Sequence, residues 1–195
     1  MKRLFDFIAA GLGLLTLLPL LILLALAVKL GSKGPVFYIQ QRVGKNKVDF
    51  GLFKFRTMYT GSDKKGLITV GAKDNRITST GYFLRKYKLD ELPQLLNVFL
   101  GDMSLVGPRP EVRKYVEMYN PEQQKVLLVR PGLTDYASLN YFDENEILGK
   151  ANDPDKTYIE EIMPAKLALS LKYIQEQSIW IDLKIIFKTI LKIIS

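Results

Sequence analysis

Phe7-Ile8-Ala9-Ala10-Gly11-Leu12-Gly13-Leu14-Leu15-Thr16-Leu17-Leu18-Pro19-Leu20-Leu21-Ile22-Leu23-Leu24-Ala25-Leu26-Ala27-Val28 runs for 22 residues without a charge, and Thr16 is its one polar side chain. As a helix this stretch measures about 33 Å, long enough to cross the hydrocarbon of a bilayer. Hydropathy alone therefore admits a spanning anchor. Ala25-Leu26-Ala27 also has the spacing of a signal-peptide cleavage site, although the run exceeds the usual apolar region of about 7–15 residues. Two features favour a third form, a helix-break-helix that enters the membrane and returns. Pro19, near the middle, deletes a backbone hydrogen bond and clashes with the preceding turn. Lys2 and Arg3 on one side and Lys29 and Lys33 on the other give both ends the same preference for the cytoplasmic face. Asp6, three residues after Arg3, is costly in lipid unless it is paired or at headgroup level. Residues 1–32 are thus expected to form an N-terminal re-entrant membrane helix, and residues 33–195 a domain on the cytosolic face.

The other end of the chain repeats the membrane theme. From Ile179 to Ile194, Lys184, Lys188 and Lys192 recur every fourth residue among apolar side chains. Such a basic amphipathic helix can lie in the headgroup plane with Trp180 and Phe187 buried, or pack as a core helix with a solvated lysine stripe. Charge is unevenly divided: residues 1–89 carry 16 basic and 4 acidic side chains, residues 90–195 carry 12 and 16. The first half therefore expects an anionic partner, whether phospholipid, nucleotide diphosphate or nucleic acid. Nucleic acid is disfavoured, because the basic residues belong to no groove-reading motif.

With no histidine and no cysteine among 195 residues, Ser-His and Cys-His nucleophiles, thiolate zinc sites and disulfides are excluded. Any catalysis must run on carboxylates, Lys/Arg, hydroxyls and hard metal ions. Between the two apolar ends, Val36 to Ile39 and Phe50 to Arg56 read as strands, the second with Lys54 and Arg56 on one face. Residues 60–76 read as a mobile polar loop. Helices are expected over Thr80 to Tyr87, Leu89 to Leu100, Glu111 to Tyr119, Pro121 to Val129 and Tyr158 to Gln177, with an acidic loop at 143–155. The sum is a helix-rich α+β fold with a few short strands.

Chemistry concentrates between Arg85 and Pro110. Asp90 and Glu91 open a helix with Pro93 in its first turn, where acidic residues commonly do no more than complement the dipole. Here cations surround them: Arg85, Lys86 and Lys88 precede the pair, and Arg109 sits on a rigid Gly107-Pro108-Arg109-Pro110 loop. Guanidinium forks match phosphate oxygens. A carboxylate nucleophile beside such cations, with a second carboxylate to hold Mg²⁺, is sufficient for phosphoryl transfer without histidine.

The stretch Leu89-Asp90-Glu91-Leu92-Pro93-Gln94-Leu95 through Gly101-Asp102-Met103-Ser104 to Gly107-Pro108-Arg109-Pro110 resembles the signature of the bacterial sugar transferases, the small monotopic phosphoglycosyl transferases. Lys2-Arg3-Leu4-Phe5-Asp6, Gln41-Arg42-Val43-Gly44, Lys54-Phe55-Arg56-Thr57-Met58, Arg130-Pro131-Gly132-Leu133-Thr134 and Asp182-Leu183-Lys184-Ile185 extend the resemblance, in order, over almost the whole chain. It implies that an aspartate attacks the β-phosphate of a UDP-sugar and UMP leaves. Polyprenol phosphate, such as undecaprenyl phosphate, then takes the phosphosugar from the carboxylate. By position Asp90 would be the nucleophile, and Glu91, with Asp90, would bind Mg²⁺. Lys54, Arg85, Arg109 and Arg130 would meet the nucleotide or phosphate groups, with Arg56 as a neighbour. A re-entrant helix at the inner membrane, anionic lipids as partners and a minimal catalytic unit without a multi-spanning extension are also implied.

Two departures from the pattern stand out. Leu18 precedes the break proline where relatives often have Ser, leaving Thr16 to satisfy freed backbone groups. Asp135-Tyr136-Ala137-Ser138-Leu139-Asn140 stands where many relatives have Gly-Trp-Ala-Gln-Val-Asn, which would alter sugar preference if that segment faces the sugar. A glycosyltransferase releasing UDP, and a non-enzymatic basic membrane-binding module, are the competing expectations.

Overall fold

α1 occupies Lys2–Gly31 and carries the apolar run of the sequence; it is one continuous helix with Pro19 inside it. This is a computed structural model, and it describes residues 2–62 and 74–194. The expected helix-break-helix is therefore corrected to an unbroken helix. Proline removes a single donor here, the one that would serve the Leu15 carbonyl. The hydroxyl of Thr16 does not replace it, because it donates to the Leu12 and Gly13 carbonyls at 2.9 and 3.2 Å. Packing on both sides of the proline holds the helix together instead: Ala10 before it and Leu24 and Val28 after it are buried.

Both ends of α1 are tied to the remainder of the chain. Near its start, Asp6 accepts hydrogen bonds from the Ser104 hydroxyl (2.8 Å) and the Leu105 amide (3.1 Å). Asp6 is thus satisfied by that distant segment, while Arg3 donates to the carbonyls of Val98 and Phe99. Near its end, Leu24 and Val28 pack with Phe55 and Leu84. Between these anchors Leu12, Leu15, Leu18, Ile22 and Leu23 are exposed.

The strands are few and short, in keeping with the expected fold class. β1 (Phe37–Val43) and β2 (Asp49–Phe55) form an antiparallel hairpin with Phe37 opposite Phe55. α2 (Ser79–Lys86) follows the expected polar loop, whose residues 63–73 lie outside the described residues. Thr78 caps α2 by accepting from the Gly81 amide. A 3₁₀ turn at Leu89–Glu91 precedes α3 (Gln94–Leu100). β3 (Ser104–Val106) and β4 (Gly132–Thr134) form a parallel pair, with α4 (Arg113–Val116) and a 3₁₀ turn over Gln123–Leu128 between them. The two longer helices expected at Glu111–Tyr119 and Pro121–Val129 shrink to these turns, since their apolar residues meet the core over a turn or two only.

α5 (Tyr136–Asn140), α6 (Glu144–Lys150) and α7 (Pro154–Thr157) follow. The stretch expected as an acidic loop at 143–155 is thus largely helical. Leu148 is buried in the core, and Asp153 caps α7 by accepting from the Lys156 amide, so burial and capping overrule the charged composition. A π-helical turn (Tyr158–Ile162) joins α7 to α8 (Met163–Glu176). The wide turn ends two residues before Pro164, which occupies the first turn of α8, where a missing N–H costs little. α9 (Ile179–Ile194) closes the described chain. The largest core cluster joins Val43, Tyr115, Tyr119, Leu148, Tyr158 and Leu167; a second, around Val106, Tyr173 and Ile185, fixes α9.

Candidate active site

The acidic pair owes its position to a reversal of the backbone. Lys88 adopts a left-handed conformation (φ 53°) immediately after α2, and the 3₁₀ turn that follows presents Asp90 and Glu91 one step before α3. They do not open α3; Pro93 caps it, where its missing N–H costs nothing. Asp90 is 6% exposed.

Glu91 is gripped from the facing loop. Arg109 donates through both terminal guanidinium nitrogens to the two carboxylate oxygens. Lys54, from β2, lies 3.8 Å from Glu91 Oε1. The Arg109 loop is rigid for a local reason: Gly107 N donates to Thr134 O (3.0 Å) and Gly132 N to Pro108 O (2.9 Å). The backbones approach so closely that a Cβ on Gly132 would fall 2.1 Å from Gly107 N. The Arg130-Pro131-Gly132-Leu133-Thr134 motif therefore serves as the strand on which the Arg109 loop is built. From the other side, Arg42 donates to Pro110 O (3.0 Å) and Glu111 Oε1 (2.8 Å), and Tyr158 donates its hydroxyl to Glu111 Oε2.

The electrostatics separate the two carboxylates. Burial opposes charge on Glu91, but Arg109 and Lys54 outweigh it and hold this carboxyl well below the usual range. Burial raises Asp90, and the charge of Glu91 adds to the rise against the opposing pull of Lys54 and Arg85. Burial also lowers the Lys54 ammonium to about 8, despite Glu91 beside it. Arg85, lowered by burial, feels the charge of Asp90 and donates from Nε to Thr57 Oγ1 at 3.1 Å. These groups line a cavity of about 1020 Å³.

A family model described as bacterial sugar transferase matches residues 1–195. The chain belongs to this family. The sugar transferase is 39% identical over its full length to a UDP-N-acetylgalactosamine-undecaprenyl-phosphate N-acetylgalactosaminephosphotransferase of Aeromonas hydrophila, covering 44% of that protein. It is 38% identical, over 98% of its length, to a UDP-glucose:undecaprenyl-phosphate glucose-1-phosphate transferase of Escherichia coli (strain K12), covering 40% of it. A Caulobacter vibrioides protein of the latter name is 39% identical over 97% of the chain and is covered to 68%. The chain thus spans less than half the length of the first two relatives.

Of the residues expected at the sugar transferase's site, the structure brings together Asp90, Glu91, Lys54, Arg85 and Arg109. Arg56 lines the same cavity but has its terminal nitrogens engaged elsewhere, and Arg130 is not among the lining residues. Arg56 is buried and donates to the carbonyls of Val28, Ser32 and Lys33, so it caps the end of α1. It lies one residue past β2, where it meets one carbonyl that the helix end leaves free, that of Val28, and two in the turn just beyond it. Arg130 is exposed and donates from Nε to Gly101 O at 2.8 Å, at the end of α3. Lys88, which the sequence shows only as one of the cations preceding the acidic pair, with no role assigned, acts on both carboxylates. Its Nζ lies 4.8 Å from the Phe142 ring centroid. Arg42 was visible in its motif without a role. Ala137, Ser138 and Leu139, from the segment that departs from the family pattern, line the cavity. Asp135, fully buried, fixes that segment by accepting from Ser138 and Ser170.

Proposed function

We propose that this protein transfers a sugar-1-phosphate from a UDP-sugar to a polyprenyl phosphate, undecaprenyl phosphate by analogy with its relatives, through an aspartyl-phosphosugar intermediate. The observation that carries this reading is the buried Asp90 beside an arginine-locked Glu91, within a basin of Lys54, Arg85, Lys88 and Arg109. A carboxylate oxygen of Asp90 attacks the β-phosphorus, the bond from that phosphorus to the oxygen bridging to the α-phosphate breaks, and UMP departs with the electron pair. An oxygen of the acceptor phosphate then attacks the same phosphorus. Asp90 is released as carboxylate, and the product is a sugar on a polyprenyl diphosphate. Lys54, Arg85 and Arg109 match the charge of the diphosphate and of the acceptor, which meet one site in turn.

The donor set suits Mg²⁺. No group of three acidic ligands occurs among the described residues, but this ion commonly takes one or two carboxylates and completes its shell with substrate phosphate and water. Asp90 and Glu91 would hold it, and it would supply neutralisation of charge on the transferring phosphoryl group. Because Arg109 already engages both oxygens of Glu91, Asp90 offers the less encumbered carboxylate. The wall formed by Ala137, Ser138 and Leu139 is where sugar preference would be set.

The same reading places the protein on the cytoplasmic face of the inner membrane without crossing it. Its support is the tethering of both ends of α1 to one body, with the apolar side chains between them exposed. A helix that crossed would carry one end away from that body. Trp180 and Phe187 on α9, 82% and 63% exposed, suit the same interface, where Lys184 and Lys188 can meet anionic lipid.

Incubation with a panel of UDP-sugars and undecaprenyl phosphate tests the reaction. Released UMP with a lipid-linked phosphosugar is expected. UDP would mean that the sugar moved without its phosphate, and absence of either nucleotide would leave a membrane-binding module.

A further inference from the structure

Lys54 meets Glu91 at ion-pair distance rather than through a hydrogen bond, with 3.8 Å between Nζ and Oε1. The reach of its ammonium therefore depends on where β2 is held. Asn97, fully buried on α3 and used by no step of the proposed reaction, touches the backbone of that strand. Its Oδ1 accepts from the Phe53 amide at 3.0 Å, and its Nδ2 donates to the Gly51 carbonyl at 2.8 Å. A neighbouring strand would use the same donor and acceptor, because residues 51 and 53 turn these groups away from β1. One side chain thus closes the outer edge of β2 at the residue before Lys54.

Asn97 is itself anchored. Its carbonyl accepts from the Gly101 and Met103 amides at 3.0 and 3.2 Å, and its Nδ2 donates also to Asp102 Oδ2 at 3.4 Å. In the other direction, Leu95 N donates to Leu92 O (3.1 Å) and Leu92 N to Leu89 O (3.3 Å), so the turn that carries Asp90 and Glu91 runs into α3 through successive hydrogen bonds. Glu91, α3, Asn97, Phe53 and Lys54 therefore form a closed circuit. Leu52 packs with Val98 and Met103 and brings the strand to the helix, but apolar burial is non-directional. A slip of one residue along β2 would turn Lys54 from this face of the strand to the other. The paired hydrogen bonds of Asn97 oppose that slip.

We infer that Asn97 is a positioning residue that registers β2 against α3 and thereby sets Lys54 at its distance from Glu91; the inference rests on the proposed function, in which Lys54 meets the diphosphate and the acceptor phosphate. A buried asparagine that only completed the fold would act on every group of the site alike. Asn97 instead acts through Lys54, whereas Arg85 projects from α2 and stands outside the circuit.

The test is a double-mutant cycle on the full chain in nanodiscs, read as kcat/KM for UMP release from the UDP-sugar that it turns over. Asn97→Ser is too short to bridge to β2 and should lower kcat/KM about tenfold; in a Lys54→Met background the same change should cost less than about twofold, and in an Arg85→Lys background about tenfold again. Phe53→Pro deletes one of the two bonds from the strand side, on an edge that accommodates proline, and should show the same dependence on Lys54 with Asn97 left in place. Hydrogen exchange at the Phe53 amide should quicken in Asn97→Ser, while the Leu52 amide, which faces β1, keeps its rate. Equal losses in all three backgrounds would overturn the assignment and leave Asn97 as a support of the fold. So would a folded Asn97→Ser that retains full kcat/KM or an unchanged exchange rate at Phe53. Failure of the reaction itself has a different signature: release of UDP in place of UMP by the unsubstituted chain removes the proposed function, whereas UMP release without the Asn97–Lys54 coupling removes the positioning role alone.

Discussion

Arg109 holds Glu91 with both terminal nitrogens of its guanidinium, and this fork keeps Glu91 charged while its neighbour Asp90 is pushed toward the neutral form. Adjacent residues in one 3₁₀ turn thereby acquire different chemistry. Glu91 is a fixed negative charge with one lone pair on each oxygen engaged by Arg109 and the others left for a metal ion. Asp90 is the more basic carboxylate and the better nucleophile when ionised, which suits attack on phosphorus.

Replacing Asp90 with Asn should therefore lower kcat by on the order of 10³-fold or more and abolish a covalent phosphosugar adduct, with membrane attachment retained. Glu91→Gln keeps the nucleophile but loosens Arg109, and a smaller loss on the order of 10²-fold is expected. Mass spectrometry of enzyme quenched during turnover, alongside steady-state rates, checks both. Full activity in Asp90→Asn would remove the nucleophile assignment.

The pH dependence follows from the same cluster. A raised Asp90 is protonated at higher pH than an ordinary aspartate, so activity should fall on the acid side from a point above 3.8 as the nucleophile gains its proton. Lys54, lowered to about 8, loses its charge above that pH, and the attraction for phosphate falls with it. The profile of kcat/KM, which reports the free enzyme, should be bell-shaped with an alkaline limb near 8. Lys54→Arg should move that limb upward, because a guanidinium stays charged. A limb that does not move would exclude Lys54 as its source.

What was legible in the sequence divides along physical lines. The acidic pair and Arg109 stand out because charged residues near a glycine-proline loop announce phosphate chemistry, whereas Lys54 could be placed with them only through the family resemblance. The helix-rich architecture followed from apolar spacing. Arg56 and Arg130 could not be sorted from Lys54 and Arg109 in the same way: all four are cations in motifs, and only the fold shows that one meets the carbonyls of α1 and another the Gly101 carbonyl. The β3–β4 pair was hidden because each strand is three residues long and its partner lies far along the chain. The continuity of α1 through Pro19 depends on anchors at both ends, which local rules do not see.

Arg56 is expected to behave as part of the scaffold. Its guanidinium donates to three carbonyls at the end of α1, and loss of such charge-assisted bonds costs about 1.5–3 kcal/mol. Arg56→Ala should lower the melting temperature by roughly 2–4 °C for each kcal/mol lost. The KM for UDP-sugar should stay within about a factor of two, in contrast to Lys54→Ala. A raised KM with unchanged melting would return Arg56 to the substrate site.

Removal of divalent metal is expected to stop turnover, and Mg²⁺ to restore it, since two carboxylates and four cations leave the transferring phosphoryl oxygens without a hard ion of their own. Ca²⁺, which is larger and prefers more ligands, should restore less. Nucleotide release measured after chelation and re-addition checks this. Undiminished release in the chelator would contradict the metal role of Asp90 and Glu91.

The placement of α1 has a direct test, because the chain has no cysteine of its own. Lys2 meets Asp182 at one end of the helix and Arg56 meets Ser32 just past the other, so both ends are tied to the body of the protein. A cysteine added ahead of residue 1 and Lys33→Cys should react with an impermeant maleimide only when the cytoplasmic face is open to it. Leu18→Cys, exposed from the protein but flanked by apolar side chains, should be shielded by lipid from the same reagent and become reactive once the bilayer is dissolved in a denaturing detergent. Labelling of the two ends from opposite faces would require α1 to cross, and one of its two sets of anchoring contacts would then have to be absent in the membrane.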